Sequence, residues 1–311
     1  MKFTQQPHAL MMIRPASFGP NSQTSATNTF QQNPGRQTAD ATARSQAEFD
    51  RMVEVLSAHE IAVHVFDDTA SPAKPDAVFP NNWISLHEDG TVVLYPMMAE
   101  NRRTERSADI VDQLKRDFVV RRVIDLSEAE KHGSYLEGTG SVVFDHANKI
   151  AYACRSPRTD EALVKRLCDE LGYKPVIFNA VDENNIAVYH TNVMMCIGAK
   201  FAVICLDAVK DENDQDVLLE SFSAAEKKVI AISFAQMRAF AGNMIEVFTH
   251  DHEPVVLLSE TAFQSLLPGQ VNAISQFAEM LPLQINTIEN VGGGSVRCMV
   301  AGIHLPRQNQ L

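Results

Sequence analysis

The sequence predicts an α/β fold built from mixed three-strand units arranged about an axis. Single helical stretches alternate with two to four short strands, a rhythm that a doubly wound parallel sheet would not produce. The order of elements repeats along the chain, although no residue-level repeat accompanies it. No shift of composition marks a linker, so residues 1–311 read as one domain.

The elements follow from local pattern. An apolar strand over residues 10–13 runs into Arg14-Pro15 and a polar loop over residues 19–40, long enough to be functional and given something to bury by Phe18 and Phe30. Phe49, Met52, Val53 and Leu56 recur at helical spacing within residues 41–59, with Thr38 or Asp40 as the cap. Alternation marks a strand over 61–66, and Glu88-Asp89-Gly90 turns a hairpin between strands 78–85 and 91–95. A helix over 103–118 and strands over 119–126, 141–144 and 149–153 come next. The rhythm repeats as helix 158–171, strands 175–178, 186–189, 193–197 and 201–206, helix 214–225 and strand 228–232. The last round has strands 244–248 and 254–258, helix 271–280, strand 283–288 and the segment around Cys298.

A net charge of -12 opposes sequence-independent binding to nucleic acid or to an anionic membrane surface. The N-terminal residues lack an apolar run of signal-peptide length, and no apolar run approaches the roughly 20 residues that span a bilayer, so a cytoplasmic protein is expected. Five cysteines without CxxC spacing argue against a disulfide framework and a structural zinc site. The oligomeric state stays open, a homodimer included.

Four stretches carry residues suited to chemistry, three loops and one strand end. Gly292-Gly293-Gly294 buries no side chain and loses the most backbone entropy on ordering, so another group is expected hard against that backbone. Cys298 follows, ahead of the apolar Met299-Val300-Ala301, either as a nucleophile or as a buried structural cysteine after a tight turn. His190 ends the predicted strand 186–189, as a structural hydrogen-bonding residue or as the base a thiol needs. Glu137 heads Glu137-Gly138-Thr139-Gly140, as a turn residue or as the carboxylate that fixes a histidine's tautomer. Asn81 and Asn82 stand between Phe79-Pro80 and Trp83, as turn residues or as amides aimed at a polar ligand.

In order along nearly the whole chain, Met12-Ile13-Arg14-Pro15, Asn28-Thr29-Phe30-Gln31, Phe79-Pro80-Asn81-Asn82-Trp83, Glu137-Gly138-Thr139-Gly140, Tyr189-His190-Thr191-Asn192, Gly242-Asn243-Met244 and Gly292 to Met299 resemble the guanidine-modifying superfamily of arginine deiminases, dimethylarginine dimethylaminohydrolases and amidinotransferases. The likeness is strongest to its citrulline-utilisation hydrolase branch. The resemblance implies a five-bladed α/β propeller (pentein) with pseudo-fivefold symmetry, and no metal or organic cofactor. It implies Cys298 as nucleophile, His190 as general acid and base, and Glu137 as the carboxylate that positions His190. A His190 imidazolium paired with the Cys298 thiolate would make Cys298 the fastest thiol to alkylate, with Cys196 and Cys205 slow in apolar strands.

The sequence departs from that pattern at two positions. Relatives that hydrolyse guanidines carry an aspartate where Asn82 stands, and deiminases carry one where Asn192 stands. A cationic guanidinium would lose two countercharges here, whereas a neutral ureido group exchanges hydrogen bonds with amides. A ureido hydrolase is therefore expected, converting citrulline to ornithine, carbon dioxide and ammonia; the alternatives are a deiminase or amidinohydrolase of arginine or a related guanidine, and a catalytically silent binding protein. Asn81, Asn82 and Asn192 are expected to contact the small-molecule substrate. Arg14, Arg102, Arg103 and Arg297 qualify for its carboxylate, Arg14 and Arg297 being the two that stand in the matched motifs.

Overall fold

The computed structural model describes residues 4–31 and 40–308. Strand β1 (Ala9–Arg14) pairs in parallel with β2 (Val63–Asp67), and β3 (Ile84–Leu86) pairs antiparallel with β4 (Thr91–Leu94), which runs parallel to β5 (Arg122–Asp125). The same antiparallel-then-parallel order joins β6 (Val143–Asp145), β7 (Ile150–Cys154) and β8 (Lys174–Phe178). It recurs in β9 (Met195–Ile197), β10 (Phe201–Ile204) and β11 (Lys228–Ala231), and again in β12 (Ile245–Phe248), β13 (Pro254–Ser259) and β14 (Glu279–Leu283). The last strand, β15 (Ala301–Ile303), returns to lie antiparallel to β1 and touches β3 at Ile303–Leu86. The strands thus form three three-stranded sheets and one six-stranded sheet in the order β2-β1-β15-β3-β4-β5.

A parallel pair needs a crossover, and that is where the long helices lie. Ala41–Ala58, Ala108–Asp117, Glu161–Leu171 and Glu212–Ala224 each connect the middle strand of a unit to its parallel partner, and Glu260–Ser265 with Pro268–Ser275 does so in the β12–β14 unit. Their ends follow from sequence. Asp160 accepts from Leu163 N–H to start its helix, and Gly172, left-handed at φ 69°, ends it. Leu163, Val164, Leu167 and Leu171 of that helix pack on Ala151 and Ala153 of β7. Tyr152 and Cys154, pointing the other way from β7, enter a different apolar cluster. Strands β1, β4 and β13 also divide their alternate residues between two clusters, so the clusters are linked through these strands into a closed ring.

Several predicted elements shift. The predicted strand 78–85 yields only β3, because Pro80–Asn82 forms a 3-10 turn. The predicted helix 103–118 is divided: Glu100–Glu105 is a separate 3-10 turn, and Ser107 accepts from Ile110 N–H to begin a new helix. Residues 186–189 are not a strand; Ala187 makes one isolated bridge to Val181, and Ile186 is half exposed. The helix expected over 271–280 ends at Ser275, because residues 279–283 pair with β13 from Val255–Glu279 onward. Asp40 is the cap residue of the first helix without a side-chain bond, and Thr38 lies outside the described residues. No helix among the described residues is long and apolar enough to cross a membrane.

Candidate active site

Each antiparallel first strand is preceded by a tight turn, and these turns carry the site. Asn82 ends the turn Pro80–Asn82 before β3, Glu137 caps the short helix Gly138–Ser141 before β6, and His190 caps Thr191–Met194 before β9. Asn243 and Cys298 follow the same rule: Asn243 N–H bonds to Phe240 O ahead of β12, and Cys298 N–H bonds to Ser295 O ahead of β15. Side chains from five sequence-distant turns thereby meet.

A narrow pocket of about 20 Å³ is lined by Cys298, His190, Asn82, Tyr189, Asp76, Arg102 and Arg158, with Phe79, the three glycines, Thr24 and Asn28 around them. Glu137 lies directly behind His190, its Oε2 2.8 Å from His190 Nε2. Burial would raise the Glu137 carboxyl, but the Arg158 guanidinium 3.4 Å away and the bond from His190 hold it well below the usual carboxylate range. Burial pulls His190 down to about 4, against the opposing pull of Glu137. His190 is therefore neutral at pH 7 with its Nε2–H given to the Glu137 carboxylate, and Nδ1 is free to move a proton. Burial thus favours the uncharged ring over the imidazolium expected from the sequence.

The groups that touch the sulfur are amides. Asn192 Nδ2 and Asn243 Nδ2 each lie 3.4 Å from Cys298 Sγ and donate toward it. Asn82 is held from the other end, its Oδ1 accepting from Arg102 Nη1 at 2.8 Å, while its Nδ2 is buried without a partner. Arg102 in turn chelates Glu105 through Nε and Nη2, both at 2.9 Å. Gly140 brings these walls together: a methyl group there would stand 2.5 Å from Asn82 Nδ2 and 2.8 Å from His190 Nδ1.

The glycine run serves the protein's own packing. Side chains on Gly292 or Gly294 would strike the Phe79 ring, and Gly293, at φ 67°, lies against Gln31 and Asn28. Asn28 donates to Gly292 O and Gly293 O, and Arg158 donates to Thr24 O and Thr27 Oγ1, so residues 21–31 cover the pocket.

Other predicted contacts fall elsewhere. Arg14 makes a two-pronged pair with Asp50 at 2.7 and 2.9 Å and stays partly exposed, because β1 directs it outward. Arg103 is spent on Met97 O, Met98 O and Glu130. Arg297 lines a different cavity, as does Asn192 beyond its contact with Sγ. Asn81 is fully buried beside the pocket without lining it, since the turn that presents Asn82 points its neighbour away. Sequence reasoning missed Arg158 and Asp76, which stand in loops with no pattern of their own. Asn243 lay within a matched motif, and only contact with Sγ gives it a role. Burial pushes Cys154 and Cys205 up to about 11 and Cys168 and Cys196 up to about 12, and none of the four lines the pocket.

With this geometry in view, the family described as N,N dimethylarginine dimethylhydrolase, eukaryotic, matches residues 14–305. The chain belongs to this family. The dimethylhydrolase family is part of the guanidine-modifying superfamily, whose hydrolases act on carbon–nitrogen bonds other than peptide bonds. No curated protein matches the chain in sequence. Among solved structures, the N-terminal domain of ArgZ bound to substrate, an arginine dihydrolase from the ornithine–ammonia cycle in cyanobacteria, superposes with a TM-score of 0.73 at 14% identity, covering 96% of this chain and 98% of that one. Unliganded AgrE gives 0.74 at 18% identity over 97% of this chain. A dimethylarginine dimethylaminohydrolase captured as an adduct with S-methyl-L-thiocitrulline gives 0.64 at 12% identity, covering 95% and 99%. The chain spans 40% of the length of the longer ArgZ and AgrE chains. At these identities the likeness is one of fold, a mixed α/β fold shared with the pentein enzymes.

Proposed function

We propose that this protein hydrolyses a carbon–nitrogen bond at the terminal carbon of a ureido or guanidino amino acid, through a covalent adduct on Cys298. The neutral ureido group of citrulline is the substrate that the pocket's geometry supports best. The observation that carries this reading is the orientation of Asn82: with Oδ1 held by Arg102, its unpartnered Nδ2 offers a donor. A ureido carbonyl accepts from it. A guanidinium, which has only N–H donors, would face another donor there.

In this reading the Cys298 thiol gives its proton to His190 Nδ1 and attacks the ureido carbon, and the C–N bond to ornithine breaks as His190 returns that proton to the leaving nitrogen. Water, deprotonated by His190, then opens the S-carbamoyl adduct, and the carbamate released falls to carbon dioxide and ammonia. Glu137 stabilises His190 whenever the ring is protonated. Arg102 and Arg158 are the cations that line the pocket and suit an α-carboxylate, and Asp76 Oδ1, buried without a hydrogen-bond partner, suits the α-ammonium. The pocket is narrow, and Thr24 and Asn28 stand at its wall, so substrate contacts residues 24 and 28 as it enters.

Arginine is the second reading, and the comparisons support it ahead of citrulline: ArgZ is an arginine dihydrolase, and AgrE has been seen with L-arginine and with ornithine and NAD+. We further propose that the chain is one domain and a five-bladed propeller. The antiparallel-then-parallel unit occurs five times once the six-stranded sheet is divided at its single β15–β3 contact, and the ring of apolar clusters supports closure.

Product analysis with citrulline, arginine and dimethylarginine tests the substrate. Citrulline should be turned over roughly a hundredfold faster than arginine, since a guanidinium meets the Asn82 Nδ2 donor where it needs a carboxylate, a mismatch of a few kcal/mol. Asn82→Asp, which exchanges the donor for a carboxylate oxygen, should narrow that ratio. A wild type that prefers arginine would replace the ureido reading with the second one. Cys298→Ser, the control, should lose activity about a thousandfold or more.

A further inference from the structure

Arg297 adjoins the nucleophile but faces away from the substrate pocket. It lines a separate cavity of about 50 Å³, together with His87, His146, His304, Asn192 and Glu246. Its Nη1 donates to Val300 O at 2.9 Å, and no carboxylate pairs with it among the described residues. The carboxylate that shares the cavity, Glu246, spends Oε2 on Ala199 N–H at 2.6 Å. Two deeply buried polar atoms in the lining have no partner, His87 Nδ1 and Asn192 Oδ1, in residues 5% and 1% exposed. His87 Nε2 lies 2.7 Å from Ser85 Oγ, which lies 2.7 Å from Tyr95 Oη. With Tyr95 donating to Ser85 and Ser85 to Nε2, the unpartnered Nδ1 carries a hydrogen.

Among the described residues the cavity therefore presents an unpaired cation, a buried donor without an acceptor and a buried acceptor without a donor, beside the ring of His304 and the carboxylate of Glu246. A chloride or nitrate would satisfy the first two and leave Asn192 Oδ1 without a donor. We propose that the cavity binds a small oxyanion that keeps one hydroxyl, of which bicarbonate is the smallest common example. Its charge sits against Arg297, an oxygen accepts from His87 Nδ1, and its O–H donates to Asn192 Oδ1. Because Asn192 Nδ2 is bonded to Cys298 Sγ and Arg297 is the next residue in the chain, the ion is coupled to the nucleophile from behind. Neutralising Arg297 removes a cation that would favour the sulfur as it ionises, so a bound ion should slow the reaction of Cys298 with electrophiles.

Calorimetric titration of the whole chain with bicarbonate at pH 8, at constant ionic strength set with chloride, tests the site without turnover, so its outcome is independent of the substrate. Saturable binding is expected, about tenfold or more weaker in Arg297→Gln and retained within a few-fold in Arg297→Lys. His87→Phe, which leaves the charge in place, should also weaken it. Iodoacetamide labelling mapped to Cys298 should slow as the site fills. Absence of saturable binding, equal binding of chloride, or undiminished binding in Arg297→Gln would overturn the proposal; the last would assign the ion to Arg102 and Arg158 in the substrate pocket.

Discussion

The two walls around Cys298 are built on opposite electrostatic plans. On the Glu137 wall every charge is answered within the protein: the carboxylate takes His190 and Arg158, and Arg158 is further tied to Thr24 and Thr27. On the amide wall, Asn82, Asn192 and Asn243 bring no charge to the sulfur, and two of the three leave a buried polar atom unpartnered, Asn82 at the substrate pocket and Asn192 at the cavity behind it. A saturated wall keeps one geometry and one protonation state, which proton transfer requires. An unsaturated wall has hydrogen-bonding capacity left over for what enters, which selection requires.

Removing charge from the saturated wall should have the largest effect. Glu137→Gln leaves His190 without its tautomer-fixing carboxylate and Arg158 buried without a countercharge. Turnover on the better substrate should fall about a thousandfold, and stability by about 3–5 kcal/mol. Steady-state kinetics and urea unfolding read the two separately; a stability loss with unchanged kcat would assign Glu137 to structure alone.

Gly140→Ala strikes both walls at once, through contacts with Asn82 Nδ2 and His190 Nδ1. About a hundredfold loss of kcat is expected from misplacing two groups by a fraction of an ångström, with about 1–3 kcal/mol of overpacking. An alanine variant with wild-type kcat would mean that the two walls need not touch during the reaction.

Acid should weaken the fold through histidines rather than through Glu137. His190 and His87 are each pulled to about 4 by burial, below the 6.5 of an unfolded histidine. Between pH 6.5 and about 4 the unfolded chain binds more protons, so the stability these groups contribute is complete above pH 6.5 and lost on acidification. The slope is about 1.4 kcal/mol per pH unit for each histidine. The depressed Glu137 carboxyl acts lower, from the usual carboxylate value of 4.5 downward. Urea midpoints from pH 7.5 to 4.5 measure this slope, and His87→Phe should flatten it by about one proton. A midpoint independent of pH in that window would mean that the buried rings charge in place.

The smallest effect is expected at Arg14. Its pair with Asp50 is partly exposed and remote from both walls, so Arg14→Ala should change stability by about 0.5 kcal/mol or less and leave KM unaltered. A large rise in KM would return Arg14 to the substrate.

The sequence by itself determined the rhythm of elements, and its resemblance to the guanidine-modifying superfamily singled out Cys298, His190, Glu137 and Asn82 as residues expected at one site. Helical spacing, caps and strand alternation are local, so they can be read without knowing the partners. Boundaries drifted where a partner decides them: residues 279–283 look like the end of a helix until β13 pairs with them, and 186–189 look like a strand until no neighbour takes them up. Only the tertiary structure decided which arginine faces which cavity. Arg14, Arg102, Arg103, Arg158 and Arg297 are one residue type with equally long side chains; what divides them is whether Asp50, Glu105, Glu130, Glu137 or, for Arg297, no carboxylate among the described residues forms an ion pair with it. The direction of Asn82 was likewise not in its sequence. An amide offers a donor or an acceptor according to the end its neighbour holds, and Arg102, arriving from a different turn, holds the oxygen.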